Sequence, residues 1–445
     1  MSRLRLKKQN AQAESFKKLL YRTNEQPLLF LVCAFQIICM ALLTFKTADG
    51  KADIFSLRML FLLPFGTYAA LKLVSRMWPI DRALFLLTAF LCSLSVITLR
   101  AVFTTTSKAE TQALYLPIGF AAMLIGICVS RTFMSCSGFL RAAMLPCLAL
   151  MALPLAFTTA SAARSWVKLG TFQFQPSELL KPATALILAS EFSRPAKNVK
   201  AWLPGALFGA ALCAVLLVQR DLGALFLFFI LTIAMFTAGT GHRKTALCVI
   251  LLAGILSAVF VTYADRIQGF SYLSARMAIW RDPWNTDIES ARQIRQGLIS
   301  IASGGLFGSG LGLSSARKVA VVGSDYIFAA VSEEFGMIFA LGVIAVYFVI
   351  LLRGRMTALS CRNRFQALLA FGCAFELTSQ MLLIVMGNLH IIPLTGVTLP
   401  FVSEGGSSLA GSMLLMGMLL GVGSINAQDE YDDLMRVSAG RRAKT

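Results

Sequence analysis

A chain of 445 residues that is 57% hydrophobic and only 14% charged cannot clothe itself in a polar surface, which excludes a water-soluble globular protein. Its apolar residues come in unbroken runs of near-spanning length and do not alternate with polar ones, which excludes a transmembrane β-barrel and leaves an all-α polytopic membrane protein. The net charge of +19 would suit a nucleic-acid binder, but the cations cluster at the ends of the apolar runs, so membrane lipid and not nucleic acid is their expected partner.

Residues 1–26 form a basic arm carrying Arg3, Arg5, Lys7, Lys8, Lys17, Lys18 and Arg22. The apolar run behind it has no small-residue cleavage site and is read as a retained span, not a signal peptide. About twelve spans are expected, at roughly 27–45, 57–75, 83–102, 113–131, 139–157, 177–192, 201–218, 221–238, 245–263, 325–352, 365–386 and 402–424. The arm places the N-terminus in the cytoplasm by the positive-inside rule. Every second gap then faces inward, and those gaps carry Arg76 and Arg82; Arg131 and Arg141; Arg194, Lys197 and Lys200; Arg243 and Lys244; Arg353, Arg355, Arg362 and Arg364. Residues 27–424 thus form a transmembrane domain, and 425–445 a cytoplasmic tail with Arg436, Arg441, Arg442 and Lys444. The ten cysteines fall in spans or inner gaps, as small buried hydrophobes do, with no disulfide or zinc spacing.

Two outer loops stand out, 158–176 and 264–324. The second carries excess positive charge, against the topology bias, which fits either an anionic partner at the outer face or a loop long enough to escape the rule. It contains "RDPWNTD" at 281–287, a polar knot with Asp282, Asp287 and a Trp suited to the headgroup level. It also holds "RQIRQGLISIA" at 292–302, whose apolar spacing predicts an interfacial helix with Arg292, Arg295 and Gln296 facing out. "SGGLFGSGLG" at 303–312 follows, with five glycines. No Lys-Ser/Thr follows the glycines, so this is no P-loop; it is either a turn or a close backbone approach to a ligand.

Ionisable residues at membrane depth cost about 2.5–3.5 kcal/mol each and need partners or a function. They are Glu178, Lys181, Asp221, Asp325, Glu333, Glu334 and Glu376. Glu178 and Lys181 lie three apart and can pair on one helix face. Asp221 and Asp325 precede spans and are placed to cap them.

Five segments occur in an order that resembles a known family. They are "ARSWVKLGTFQFQPSELLK" (163–181), "QRDLG" (219–223), "SGGLFGSGLG" (303–312), "SDYIFAAVSEEFG" (324–336) and "GNLHIIPLTGVTLPFVSEGGSSL" (387–409). Together they cover a core of about 160–425 similar to the SEDS family, the FtsW/RodA/SpoVE proteins of bacterial cell-wall synthesis. The resemblance implies a fold of ten spans, against the twelve counted, with the extra pair before the first motif loop. It implies a peptidoglycan glycosyltransferase that polymerises lipid II, an undecaprenyl diphosphate-linked disaccharide-peptide. The reaction would run at the outer face of the bacterial cytoplasmic membrane, in division or elongation, with both termini inside. A class B penicillin-binding protein is the implied partner. A lipid-linked precursor flippase, or a non-catalytic scaffold activating a penicillin-binding protein, would use the same cavity without a base.

In the implied reaction a sugar hydroxyl attacks an anomeric carbon and a polyprenyl diphosphate leaves. The hydroxyl needs a carboxylate base, and the diphosphate needs cations. Asp287 is the expected base, with Asp282 as the alternative. The implied substrate-binding residues are Arg164, Trp166, Gln175, Glu178, Lys181, Asp221, Arg292, Gln293, Arg295, Lys318, Asp325, Ser403 and Ser407. The motifs name no particular cofactor, and diphosphate chemistry leaves room for a divalent cation (Mg or Mn), with no ligand set legible in the sequence. The chain departs from the family pattern at four places. Thr286 stands at the position of the essential Asp, one residue before Asp287. Arg292 stands for a Tyr, Ala320-Val321 for Pro-Glu, and Arg220 for a Pro.

Overall fold

Inside a bilayer a chain can close all its backbone hydrogen bonds locally only as a helix, and helices make up most of the described residues. The computed structural model describes residues 25–45, 52–132, 137–157, 165–169, 172–195, 199–263, 271–286 and 289–442. Helices α1 (Gln26–Thr44) and α2 (Ile54–Met77) form an antiparallel pair ahead of α3 (Arg82–Val102) and α4 (Ser107–Thr132). The next expected span is jointed at Ala143 into α5 (Ser137–Ala142) and α6 (Met144–Phe157). A short antiparallel hairpin follows, β1 (Val167–Leu169) and β2 (Phe172–Phe174), with Val167 opposite Phe174. Then come α7 (Pro176–Phe192), α8 (Val199–Gln219), α9 (Leu222–Thr240) and α10 (Arg243–Tyr263). The long loop contains α11 (Ser271–Arg281), α12 (Glu289–Ser303) and a 3-10 turn at Ala316–Lys318. The bundle closes with α13 (Ile327–Phe335), α14 (Met337–Ser360), α15 (Arg364–Asn388) and α16 (Gly406–Arg442).

Among the described residues, 11 helical stretches are long and apolar enough to cross a membrane. The expected span at 177–192 is not one of them. It is α7, with 17 residues and a length of about 26 Å at 1.5 Å per residue, short of a hydrocarbon core of roughly 30 Å. All its residues except Leu179 and Ala183 are buried, so protein surrounds this polar helix instead of lipid. The expected span at 325–352 is broken at Gly336, whose φ of +87° ends α13 and redirects the chain into α14. The last span runs on as one helix to Arg442, so the tail expected from residue 425 continues α16.

The glycine run over 303–312 is neither a loose turn nor a ligand cradle. It packs its backbone on the end of α13, with Ser309 N donating to Glu333 O at 2.8 Å and Gly310 N to Glu334 O at 3.2 Å. A Cβ on Gly304 or Gly308 would overlap the backbone of Ser332 or Glu334. The side chains of Glu333 and Glu334, both buried, take up what the loop leaves open. Glu333 accepts from Ser315 N at 2.6 Å and from the Ser300 hydroxyl; Glu334 accepts from Gly312 N and the Ser314 hydroxyl.

The arginine-rich ends of the helices are tied to one another at one end of the bundle. Arg353 chelates both oxygens of Asp81 at 2.7 Å. Glu191 is held by Arg141 at 2.6 Å and Arg194 at 3.0 Å. Arg131 reaches Ser424 at 2.9 Å, and Arg364 reaches Gly239 O at 2.7 Å.

Helices α4 and α16 cross on glycine. A Cβ on Gly126 would overlap Leu414 O, and one on Gly417 would overlap Met123 O. Small residues allow such close approach, which is how membrane helices gain packing energy without a hydrophobic driving force. Gly417→Leu should therefore cost about 1–3 kcal/mol or more through forced displacement of α4. The measurement is the thermal loss of the monodisperse peak in detergent, expected several degrees lower than wild type; an unchanged midpoint would mean that the two helices do not meet as described.

Candidate functional site

At the end of the bundle opposite the arginines, six segments enclose a cavity of about 560 Å³. They are the start of α4, the β-hairpin, the α8–α9 joint, α11, the segment at 324–325 and the stretch 395–407. The strand register sets Trp166 and Gln175 side by side at the open end of the hairpin, and both line the cavity.

Gln175 is also the N-cap residue of α7. Its amide donates to Asp221 Oδ2 at 2.9 Å, while Asp221 Oδ1 caps α9 by accepting from Ala224 N at 3.0 Å. One carboxylate thus joins two helix starts on the cavity wall. Burial raises the Asp221 pKa, against the lowering effect of the Ala224 N–H. Beside it Arg220 holds φ +63°, a left-handed conformation closed to proline, whose ring fixes φ near −65°. The departure at Arg220 therefore comes with a backbone that the family's Pro could not adopt.

Asp325 does not cap the helix that follows it. That helix starts at Ile327 behind Tyr326, without a side-chain cap. The Asp325 carboxylate lines the cavity instead. Burial raises its pKa, opposed by the Ser324 hydroxyl and the charge of Arg276 on α11. Asn388 fixes the Asp325 backbone by donating to its carbonyl at 2.7 Å, and Trp280 anchors α11 by donating to His390 O at 3.2 Å.

Glu178 and Lys181 lie buried beneath this wall. Lys181 Nζ donates to Glu178 Oε1 at 2.7 Å and to Gln380 Oε1 at 2.9 Å. Gln380 Nε2 continues to Thr398 O at 2.8 Å, and Thr398 Oγ1 meets Ser408 Oγ at 2.6 Å. The polar line therefore runs from α7 through α15 into the 395–407 stretch. Glu376, one turn before Gln380, is fully buried and accepts no hydrogen bond among the described residues. Ser403 is a buried pin, accepting from Leu399 N at 2.8 Å and donating to Ser324 O at 2.7 Å. Ser407 lines the cavity.

The cavity thus gathers Trp166, Gln175, Asp221, Asp325 and Ser407, with Glu178, Lys181 and Ser403 behind its wall. Arg292, Gln293, Arg295 and Lys318 are not among its lining residues. Arg292 is exposed on α12, 4.0 Å from Glu289. Gln293 is half-buried on the same helix, and Lys318 is exposed on the 3-10 turn. Arg295 does not face out as the amphipathic pattern predicts. Its Nη1 donates back to the carbonyls of Pro283, Trp284 and Thr286 at 3.0, 3.1 and 3.3 Å. Asp282 closes the same turn by accepting from Trp284 N at 3.2 Å, Asn285 N at 3.1 Å and Asn285 Nδ2 at 2.6 Å. The Asn285 side chain, then its backbone N–H, lowers the Asp282 pKa. Asp287 and Arg164 lie outside the described residues.

Arg220, Arg276 and Glu404 also line the cavity, and sequence reasoning did not place them there. Glu404 accepts from Lys108 at 2.8 Å. Arg220 and Glu404 lie inside recognised segments, 219–223 and 387–409, and Arg276 among the cations of the long loop, but nothing in the local sequence turns them toward a cavity. Among the described residues no group of three His, Cys, Asp or Glu side chains is placed to hold a metal ion.

A family model described as a cell cycle protein, FtsW/RodA/SpoVE, matches residues 75–428. The chain belongs to this family. The match starts at the end of α2, so nearly all of the α1–α2 pair lies outside it; nine of the 11 long apolar stretches lie within it, together with the shorter α7. Stage V sporulation protein E of Bacillus subtilis is 31% identical over 327 residues, covering 71% of this chain and 86% of that protein. A probable peptidoglycan glycosyltransferase FtsW of Coxiella burnetii is 31% identical over 321 residues, covering 69% and 83%. The peptidoglycan glycosyltransferase RodA of Mycobacterium tuberculosis is 31% identical over 284 residues, covering 60% of this chain and 59% of that protein. The crystal structure of Thermus thermophilus RodA superposes with a TM-score of 0.55 at 25% identity, over 77% of this chain and 96% of that one. A chain of a peptidoglycan synthase complex that coordinates polymerization and crosslinking shares the fold, with a TM-score of 0.64 at 24% identity, over 78% and 99%.

If the Glu178–Lys181 pair supports the wall, removing one partner strands a buried charge, at about 3–5 kcal/mol. Lys181→Met should lower the melting temperature sharply, and adding Glu178→Gln should restore at least half of the loss. Equal melting of the two variants would show that the pair does not carry this load.

Proposed function

We propose that this chain is a peptidoglycan glycosyltransferase that polymerises lipid II at the outer face of the bacterial cytoplasmic membrane, paired with a class B penicillin-binding protein. The observation that carries the reading is the cavity itself. It joins carboxylates to Arg220 and Arg276, at the end of the bundle opposite the tied arginines. By the positive-inside rule that arginine end and both termini face the cytoplasm, and the cavity faces out.

The incoming sugar hydroxyl loses its proton to a carboxylate as it attacks the anomeric carbon, and the diphosphate departs with its charge held by cations. Asp282 is poorly suited to be the base, because its oxygens already accept three N–H groups that lower its proton affinity. Asp287 is the proposed base. It follows Thr286, whose carbonyl Arg295 holds, so the turn before it is braced from both sides. Arg295 is then a positioning residue, while Arg292 and Lys318 remain exposed cations that can meet the diphosphate. Gln175, Asp221 and Asp325 supply hydrogen bonds to sugar or peptide, and Trp166 a ring face.

The test is purified chain with its partner synthase and lipid II, scored for glycan polymer. Asp287→Asn is expected to lose about a hundredfold or more, and Asp282→Asn to keep most of its rate. Wild-type polymer from Asp287→Asn would overturn the assignment. Sidedness is tested with Thr286→Cys in a Cys-free background. An impermeant maleimide should label it in intact spheroplasts; labelling that needs lysis would invert the topology.

A further inference from the structure

The α1–α2 pair that lies outside the family match does not simply pack against the bundle. Between it and helices α3 and α4 lies a second cavity, about 430 Å³ in volume and without a single charged side chain on its wall. Leu63 and Ala70 of α2, Phe85 and Ala89 of α3, and Leu116 and Phe120 of α4 line it. Gln36 of α1 donates to Thr67 of α2 at 3.0 Å, which binds the two helices of the pair together at this depth. Gly66 lies on this wall beside open space, where a Cβ would meet no atom within 4 Å.

This apolar space continues toward one end of the bundle. Met59, Leu62 and Ala113 line both it and a vestibule of about 770 Å³. Three charged side chains line the vestibule: Asp53, Arg58 and Glu110. Asp53 is committed to Arg100 at 2.6 Å and to the first turn of α2. Arg58 and Glu110 are exposed, and their side chains make no ion pair or hydrogen bond among the described residues. One cation and one anion thus overlook the mouth of an apolar cavity at hydrocarbon depth. Volumes of 300–1,000 Å³ with apolar walls and a few convergent polar groups are those of small-molecule sites.

We propose that this crevice binds one aminophospholipid, with an acyl chain in the apolar cavity, its phosphate on Arg58 and its ammonium on Glu110. The paired charges select the headgroup. Arg suits phosphate oxygens through its planar fork. A polyprenyl phosphate would bring negative charge with no ammonium to meet Glu110, and a phosphatidylglycerol would likewise leave Glu110 without a counter-charge. The site stands one helix away from the candidate cavity. Glu110 and Leu114 of α4 face the vestibule, while Thr111 and Tyr115 of the same turns line the candidate cavity.

Native mass spectrometry of the delipidated full-length chain tests this. Palmitoyl-oleoyl phosphatidylethanolamine, the matching phosphatidylglycerol and undecaprenyl phosphate are added at equal concentration. A charge-assisted hydrogen bond is worth about 1.5–3 kcal/mol, so wild type should retain the ethanolamine lipid about tenfold better than either competitor. Arg58→Ala should lose about tenfold in that binding. Glu110→Gln should lose the preference over phosphatidylglycerol and keep the melting temperature, since its side chain is exposed. Gly66→Phe should exclude all three lipids from the site. Equal retention of the three lipids by wild type, a preference for undecaprenyl phosphate, or selectivity unchanged in Glu110→Gln would each overturn the proposal.

Discussion

The buried ion pair between Glu178 and Lys181 is the contact on which the rest of this architecture hangs. Two charges inside a membrane protein are tolerated only when each is met by an opposite charge and by hydrogen bonds. Lys181 finds Gln380 as its further partner, and Gln380 is in turn fixed by Thr398. That requirement forces α7 to be wrapped by other helices, lets it be too short to span on its own, and fixes the 395–407 stretch above it. The cavity wall is then built where these constrained segments meet, with Asp221 and Gln175 linking the starts of α7 and α9.

The long loop meets a different constraint. Its backbone lies over the bundle, where unsatisfied groups are expensive. Glu333 and Glu334 act as fixed acceptors for N–H and hydroxyl groups of the loop, and the glycines let its backbone come close enough to use them. Arg295 and Asp282 do the equivalent for the turn at 282–286, one donating to carbonyls and the other accepting from N–H groups. The loop thus carries its own scaffold up to the residue next to Asp287.

Features that depend on local chemistry were legible in the sequence. Apolar length gave the spans, the three-residue spacing gave the Glu178–Lys181 pair, and the position of Asp221 before an apolar run gave its cap. Features set by distant contacts were not. Hydropathy counts apolar residues and says nothing of φ, so the break at Gly336 stayed hidden inside one long run. Asp325 looks like a cap, but the helix starts two residues later and leaves its carboxylate in the cavity. Arg295 lies on the outward face of an amphipathic pattern, and only the turn nine to twelve residues earlier makes it fold back. Glu404 has no local signature, because its role depends on Lys108, which lies far away in the chain. The helical continuation of α16 past residue 425 is polar and therefore invisible to any search for spans.

The glycine crossing of α4 and α16 bears on how a bulky substrate could get in. Helices in backbone contact cannot slide or part without losing the whole seam, so the two behave mechanically as one plate. That plate includes Thr111 and Tyr115 at the start of α4 and Ser407 at the start of α16, where Gly406 lies against the Tyr115 ring. One side of the cavity is in effect an anvil. Any widening has to come from the other segments on the wall, which include the β-hairpin with Trp166 and the α11 helix with Arg276.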